Sequence, residues 1–477
     1  MKTSIPFILD GNIVNVDFHP SAGLRPTTTV LNYLRSLPIH RGVKEGCAEG
    51  DCGACTVVIG ELTADGRMKY RAVDSCLLFL PMLHGKQLIT IENLKDTEQH
   101  LHPVQQAMVD HHGSQCGFCT PGIVMSMFGL YKNSHQPSKE ETGLALAGNL
   151  CRCTGYRPII DAAAAACASG NRDHFSADES KMIELLKSIS QESVSTSTSD
   201  QRYDQPSTLK EALKLVQQFP AAVVINGASD VALRVTKRFE VIPHIIDLSR
   251  VEELKRSTRN QHSLSLGAGL KISDAMPLVR DDYPALHEML TWFGAEQIRN
   301  VATLGGNLGT ASPIGDALPV LMAYGAEIEL TSAAGSRKIP ANNFVLGYRR
   351  TERRPDELIT AVILPKASTS SNVRSYKISK RRDLDIATLS GGFRLELDSK
   401  NNVREIVLAY GGMAERTKRA ESTEAFLHGK PWTRKVIEEA QRCIDADFKP
   451  ISDVRGSAQF RSLAAKNLLM KFWLETV

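Results

Sequence analysis

The sequence predicts a multi-domain α+β protein, and three observations carry that prediction. The chain has 477 residues, roughly three times the ~150 residues of an ordinary domain. Residues 1–85 alternate short apolar runs with turn signals, whereas 86–168 carry helical periodicity. Polar stretches at 169–205 and 367–373 then separate segments that mix strand-like and helical patterns. Hydrophobic residues at 42% and charged residues at 23%, with 34 Gly and 21 Pro, exclude collagen-like, coiled-coil and wholly disordered classes. The net charge of +4 gives no electrostatic case for a nucleic-acid or anionic-membrane partner. No stretch approaches the ~18–20 apolar residues of a membrane span, and the opening MKTSIPFILDG has only a short apolar patch before Asp10. A cytoplasmic protein is therefore expected, with neither a secreted nor a membrane-inserted form.

The elements follow in order. Segments 5–9, 13–16 and 56–59 read as strands, and Asp10-Gly11-Asn12 places a hairpin between the first two. Segment 27–36 reads as a helix with Val30, Leu31 and Leu34 on one face. Beyond residue 85, His102-Pro103-Val104 opens a helix, Thr120-Pro121 opens a second with Thr120 as its cap, and 161–168 continues a third. Segment 169–205 is expected to be a linker, because its run SVSTSTS at 193–199 cannot bury enough apolar surface to order itself. Pro206-Ser207-Thr208 with Glu211 forms a capping box ahead of Leu209, Leu213 and Val216, and a strand at 222–225 runs into Asn226-Gly227. That domain is expected over 206–366. A last domain, 370–477, has a strand at 406–410 and helices at 433–443 and 457–474. No internal repeat is evident.

Nine of the ten cysteines fall by position 167. In a chain expected to stay in a reducing compartment, grouped cysteines favour metal ligation over disulfides. Cys47, Cys52 and Cys55, followed by Cys76, have the C-x4-C-x2-C…C spacing of plant-type [2Fe–2S] ligation. Gly46, Gly50 and Gly53 let that loop wrap closely and aim N–H groups at sulfur. Zinc is the alternative, but structural zinc sites pair two short knuckles and need no glycine-rich loop. Cys116 and Cys119 with Cys151 and Cys153 form a second quartet at helix starts, where N–H groups stabilise thiolates. On spacing alone this quartet is ambiguous between zinc and iron–sulfur. Cys167 and Cys443 read as buried, inert thiols.

The stretches CAEGDCGAC, QCGFCTPG and NLCRCTGYRP closely resemble the iron–sulfur segments of the xanthine oxidase family of molybdenum hydroxylases. The resemblance implies a β-grasp, plant ferredoxin-like [2Fe–2S] domain over 1–85 and a helical [2Fe–2S] domain over 86–168, whose cluster lies between the Cys116/Cys119 and Cys151/Cys153 pairs. Segment 206–366 has no GxGxxG, so a Rossmann unit is unsupported. It does carry a strand-to-turn segment, Val223, Val224, Ile225, Asn226, Gly227, Ala228, Ser229 and Asp230, able to offer N–H groups to a pyrophosphate or to serve as a plain turn. It also carries TLGGNLGTASPIGD, suited to a phosphorylated ligand or to a structural loop. The segment from Phe293 to Asp316 resembles the family's FAD signature. By match, the first turn together with Thr303, Leu304, Gly305, Gly306 and Asn307 would hold the pyrophosphate and ribityl chain. Phe293 would lie against the flavin, Asp316 would bind toward its ribose or adenine side, and Ile359 and Lys377 would take later flavin contacts. The resemblance implies a vanillyl-alcohol-oxidase/PCMH-like α+β FAD domain here and a CO-dehydrogenase-flavoprotein-like domain over 370–477. The first turn departs from the commoner family form in having Asn226 before the glycine and Ala228-Ser229 after it.

In the family's single-chain members a long molybdopterin portion follows the flavin part, and this sequence stops at Val477. The chain accordingly resembles the small subunit of a split enzyme, as in bacterial xanthine dehydrogenases, with no hydroxylation residues of its own. The resemblance implies a large molybdopterin-binding partner, a heterodimer assembled into a heterotetramer, and Gln115 reaching toward the molybdopterin. It further implies electron transfer to FAD and then NAD+ during oxidation of hypoxanthine or xanthine to urate. Two alternatives stay open: a molybdenum hydroxylase for aldehydes or aromatic substrates, and a stand-alone iron–sulfur flavoprotein reductase.

Overall fold

Apolar alternation near the start of the chain produces strands β1 (Ser4–Leu9) and β2 (Asn12–Asp17), which pair antiparallel with Leu9 opposite Asn12. Asp10 and Gly11 between them have φ of 54° and 74°, the left-handed pair that a two-residue turn needs to match strand twist. Helix α1 (Val30–Ser36) starts later than 27 because the Thr29 hydroxyl caps it, accepting from the Asn32 N–H. Strands β3 (Thr56–Leu62), β4 (Met68–Asp74) and β5 (Gln87–Ile89) complete a mixed sheet in the order β2-β1-β5-β3-β4, in which only β1 and β5 are parallel. Val30, Leu31 and Leu34 of α1 share a core with Ile5, Phe7, Val57 and Ile59 of this β-grasp sheet.

The computed structural model describes residues 4–18, 23–168, 170, 173–189, 191–366 and 371–477. Its contacts define one unit of Met1–Ala212, Ala221–Arg250 and Gly294–Ala302, and a second of Leu213–Pro220, Val251–Phe293 and Thr303–Val477.

In the first unit the sheet is followed by α2 (Pro103–Asp110), α3 (Thr120–Asn133), α4 (Lys139–Leu146) and α5 (Arg157–Ala168), packed around Val104, Met108, Phe128, Tyr131, Ile159 and Ala162. His102 caps α2 through its ring nitrogen and Pro103 opens it. Thr120 does not cap α3. Cys119 holds that position with helical φ/ψ, and a hydroxyl cap needs extended backbone, so the Thr120 hydroxyl pairs with Ser114 at 2.7 Å instead.

The expected linker is structured over most of its length. It contains α6 (His174–Ala177), α7 (Glu179–Ser188), β6 (Val194–Ser197) and β7 (Arg202–Gln205). The Ser/Thr run orders because Val194 and Thr196 alternate inward and β6 pairs antiparallel with β7, so a partner strand supplies what composition lacks. After α8 (Leu209–Gln218), strands β8 (Val223–Ile225) and β9 (His244–Asp247), with α9 (Ala232–Thr236) between them, extend the sheet in the order β6-β7-β9-β8.

Besides Leu213–Pro220, which includes most of α8, the second unit contains β10 (Ser257–Arg259), β11 (Ser263–Gly267), α10 (Ile272–Val279) and α11 (Pro284–Thr291). The short α12 (Glu296–Arg299) belongs to the first unit. The second resumes with α13 (Leu304–Thr310), α14 (Ala317–Ala323), β12 (Glu327–Ser332), β13 (Gly335–Pro340), α15 (Ala341–Phe344), the hairpin β14 (Val345–Gly347) and β15 (Arg350–Thr351), and β16 (Leu358–Pro365). Its antiparallel sheet runs β10-β11-β16-β12-β13. A further sheet, β17 (Asn372–Ile378), β18 (Leu389–Leu397), β19 (Val403–Gly411) and β20 (Lys418–Arg419), carries α16 (Glu421–Leu427), α17 (Arg434–Asp447) and α18 (Ala458–Leu474). Of the expected break at 367–373, residues 367–370 lie outside the described residues, and Asn372 and Val373 are already strand. No described helix is long and apolar enough to cross a membrane.

Candidate functional site

Cys47, Cys52 and Cys55 lie on the loop between α1 and β3, and Cys76 follows β4. The Cys47 sulfur accepts from the N–H groups of Glu49 at 3.4 Å and Asp51 at 3.2 Å, and the Cys52 sulfur accepts from the Cys47 N–H at 3.3 Å. The glycines act as expected of them. A Cβ on Gly46 would sit 2.7 Å from the Cys52 sulfur, and Gly50 and Gly53 take φ of 79° and 63°. The thiols meet in pairs, Cys47 with Cys52 and Cys55 with Cys76. The Cys52 thiol and the backbone N–H groups of Glu49 and Asp51 overcome burial to bring Cys47 down to about 5. The hydrogen bond to Cys47 and burial push Cys52 up.

The second quartet repeats the pairing, Cys116 with Cys153 and Cys119 with Cys151. Cys116 is lowered, first by the Phe118 N–H and then by the Cys153 thiol, whereas burial and then the bond to Cys151 push Cys119 up to about 12. For Cys151, burial pushes up but the Thr154 hydroxyl and backbone N–H groups leave it lowered. Cys116 and Cys153 are exposed, as are Gln115, Phe118, Leu150 and Tyr156 beside them in sequence. Among the described residues no three His, Cys, Asp or Glu side chains converge as one metal ion requires. Two thiols per iron at a binuclear cluster is an arrangement that these pairs fit. Cys167 is buried as expected, while Cys443 is only half-buried.

The residues expected to hold the flavin divide between the units. Val223, Val224, Ile225, Asn226, Gly227, Ala228, Ser229 and Asp230 belong to the first, where β8 ends and Ala228 turns at φ 58°. A Cβ on Gly227 would lie 1.9 Å from the Val301 carbonyl oxygen. Phe293, Thr303, Leu304, Gly305, Gly306, Asn307, Asp316, Ile359 and Lys377 belong to the second. Thr303 caps α13, its hydroxyl accepting from the Gly306 N–H at 3.0 Å. Gly305 is pressed against Ala268, where a Cβ would be 2.6 Å from that side chain. Lys377 Nζ donates to Asp316 Oδ2 and to the Trp292 carbonyl, each at 2.7 Å, which gathers Lys377 and Asp316 beside the residue preceding Phe293. Asp316 Oδ1 is buried without a hydrogen-bond partner, an acceptor open to a ligand hydroxyl or amine. Ile359 lies on β16, its side chain in contact range of Gly309.

Several residues at these sites were not singled out by sequence reasoning. Asp74 is buried, 3.6 Å from the Cys55 sulfur, and burial pushes its carboxyl up to about 8. Asn149 lies inside the NLCRC run, whose motif gives no sign that it is buried. Gln297 and Asn300, on and just after α12, are buried and donate into the iron–sulfur region of their unit. Nothing in composition marks these polar residues as interior.

Comparison with known proteins agrees with this geometry. The family model described as FAD binding domain in molybdopterin dehydrogenase matches residues 197–367, that of the CO dehydrogenase flavoprotein C-terminal domain matches 374–476, and a [2Fe-2S] binding domain matches 90–164. Xanthine dehydrogenase 1 of Arabidopsis thaliana is 34% identical over 517 aligned residues, covering 94% of this chain and 38% of that protein. The xanthine dehydrogenase/oxidase of Gallus gallus is 31% identical with the same coverage of each. The chain thus spans well under half the length of these relatives. Among solved structures, a carbon monoxide dehydrogenase from Hydrogenophaga pseudoflava superposes with a TM-score of 0.54 at 26% identity, over 56% of this chain and 94% of that one. Quinoline 2-oxidoreductase from Pseudomonas putida shares the fold at TM-score 0.53 and 24% identity, over 57% of this chain and 95% of that one. The matched family models define an iron–sulfur and FAD-binding class of protein. The chain belongs to the molybdenum hydroxylase family, of which it carries the iron–sulfur and FAD portion.

Proposed function

We propose that this chain is the electron-transfer subunit of a xanthine dehydrogenase, carrying electrons from a molybdopterin centre on a partner subunit to NAD+. When bound, [2Fe–2S] clusters supply one-electron carriage and FAD joins single electrons into the pair a hydride needs. In this reading Cys47, Cys52, Cys55 and Cys76 hold one cluster, and Cys116, Cys119, Cys151 and Cys153 the other. The observation that carries it is the meeting of eight thiols as two sets of two pairs.

The chain's own residues have three tasks. The N–H groups of Glu49, Asp51 and Phe118 stabilise thiolate character at Cys47 and Cys116. The exposed set, with Phe118, Leu150 and Tyr156 around it, provides the apolar centre of a face covered by the molybdopterin subunit, with Gln115 at its edge. Asp316, held by Lys377, offers its free oxygen to the flavin nucleotide, and Phe293 provides an aromatic face. The domain divisions 1–85, 86–168, 206–366 and 370–477 belong to the same proposal, as does pairing with the partner in a heterodimer that forms a heterotetramer.

The purine substrate is supported by the relatives named xanthine dehydrogenase, which align over nearly the whole chain. A second reading, a molybdenum hydroxylase for another substrate, draws on the likeness of just over half of this chain to a carbon monoxide dehydrogenase. Copurification with the partner, molybdenum analysis and a xanthine-dependent NAD+ reduction assay test the proposal. Molybdenum in the complex and NAD+ reduction by xanthine are expected. An isolated chain fully active toward a carrier protein would overturn it.

A further inference from the structure

Where the two cysteine quartets adjoin, glycines bring backbone close to backbone. A Cβ on Gly122, in the first turn of α3, would lie 2.1 Å from the Gly53 carbonyl oxygen. A Cβ on Gly53 would lie 2.4 Å from the Gly148 carbonyl oxygen and 2.5 Å from Asn149 Nδ2. The Leu150 N–H donates to the Cys52 carbonyl at 3.0 Å, so one hydrogen bond joins a cysteine of the first quartet to the residue before Cys151 of the second.

Asn149, buried at 3% exposure, organises this contact. Its Nδ2 donates to the Gly53 carbonyl at 3.0 Å and to Thr56 Oγ1 at 3.1 Å. Its Oδ1 accepts from the Ser126 hydroxyl at 2.6 Å and from Gln297 Nε2 at 3.0 Å, and Gln297 also donates to Ser126 Oγ at 2.8 Å. All donors therefore run one way, from α12 through α3 and the Cys151 turn to the loop bearing Cys52 and Cys55. A buried amide with every polar atom engaged permits one arrangement of its neighbours, because each alternative leaves an orphaned group.

We propose that Asn149, seated on the Gly53–Gly122 contact, is a positioning residue that fixes the separation of the two cluster sites and so the rate of electron passage between them. The inference rests on the cysteine assignment proposed above and goes beyond it. No bond is made or broken in the step: one electron leaves the cluster held by the Cys116 quartet, which is oxidised, and arrives at the one held by the Cys47 quartet, which is reduced.

The test uses the full chain purified anaerobically, as wild type and as Asn149→Ala, Gly122→Ala and Gln297→Met. Iron content is measured first, since iron missing from the wild type would refute the cysteine assignment itself. At full iron content the fully reduced protein is examined by electron paramagnetic resonance, where the splitting between two reduced centres falls steeply as they separate. Asn149→Ala and Gly122→Ala should narrow or abolish the splitting and slow electron passage roughly tenfold, as small displacements at a geometry-limited step do. Gln297→Met, which keeps volume and backbone contacts, should change both in the same direction by less, and decides the matter if the other two fail to accumulate. A residue that merely stabilises the fold would lower the melting temperature and leave the splitting intact. Unchanged splitting at full iron content in the variants that fold overturns the proposal.

Discussion

Replacing Lys377 with Met tests how the second unit holds the buried carboxylate of Asp316. Lys377 and Asp316 side chains are 6% and 11% exposed and meet at 2.7 Å, so the pair is buried. Removing one partner of a buried pair costs about 3–5 kcal/mol, because the other charge is left without compensation. Asp316 already lies above the ordinary carboxyl range because burial disfavours its anion, with Lys377 holding it partly down. Without Lys377 the folded value climbs further while the unfolded value stays near about 3.9. A group raised in the folded state keeps a proton that the unfolded chain releases, so its stability contribution is lost as pH rises. The variant should match wild type most closely near pH 4 and fall progressively behind it toward pH 8, where the deficit corresponds to roughly 10 °C in melting temperature. Thermal unfolding followed by release of flavin fluorescence, repeated across that range, reads both effects. The double variant Lys377→Met with Asp316→Asn should recover most of the loss, because no charge is then stranded. A single variant within about 0.5 kcal/mol of wild type at every pH would refute the buried-pair account.

Three further outcomes are expected. Cys116→Ser should abolish flavin reduction by purine in the assembled complex while leaving flavin reduction by NADH largely intact, as followed by flavin bleaching; retention of both would remove Cys116 from the carrier path. Gly227→Ala places a methyl 1.9 Å from the Val301 carbonyl oxygen and should cost about 1–3 kcal/mol through forced backbone movement together with bound FAD, so full FAD content in that variant contradicts the turn geometry. Acid should weaken the helical region, because burial lowers the pKa of His102 in the folded state and unfolding then takes up a proton. That loss begins as pH falls below about 6.5, and His102→Asn, which keeps a cap acceptor, should flatten it in a circular-dichroism melt series; an unchanged slope rejects His102 as the group responsible.

The cysteine quartets and the hairpin were legible because each depends on local chemistry. Thiol spacing and glycine placement are written in consecutive residues, and Asp10-Gly11 carries its own backbone preference. The helix at 457–474 was equally local, with Ser457 supplying its cap. What was not legible depends on partners distant in sequence. β6 orders only because β7 pairs with it, so composition alone pointed to a linker. The role of Asn149 requires Gly53 and Gln297, 96 and 148 residues away. Asp74 reads as an ordinary strand-end carboxylate until the fold buries it beside Cys55. The residues proposed to hold the flavin come from resemblance alone, and the pairing of Lys377 with Asp316 spans 61 residues with no periodicity to announce it.

The most direct test of the account is the iron, acid-labile sulfide, zinc and FAD content of the anaerobically purified chain. Eight thiols paired two by two predict about four iron and four sulfide per chain, with bound FAD and a coloured protein. Zinc in place of iron, or a chain that stays colourless after reconstitution, would contradict it.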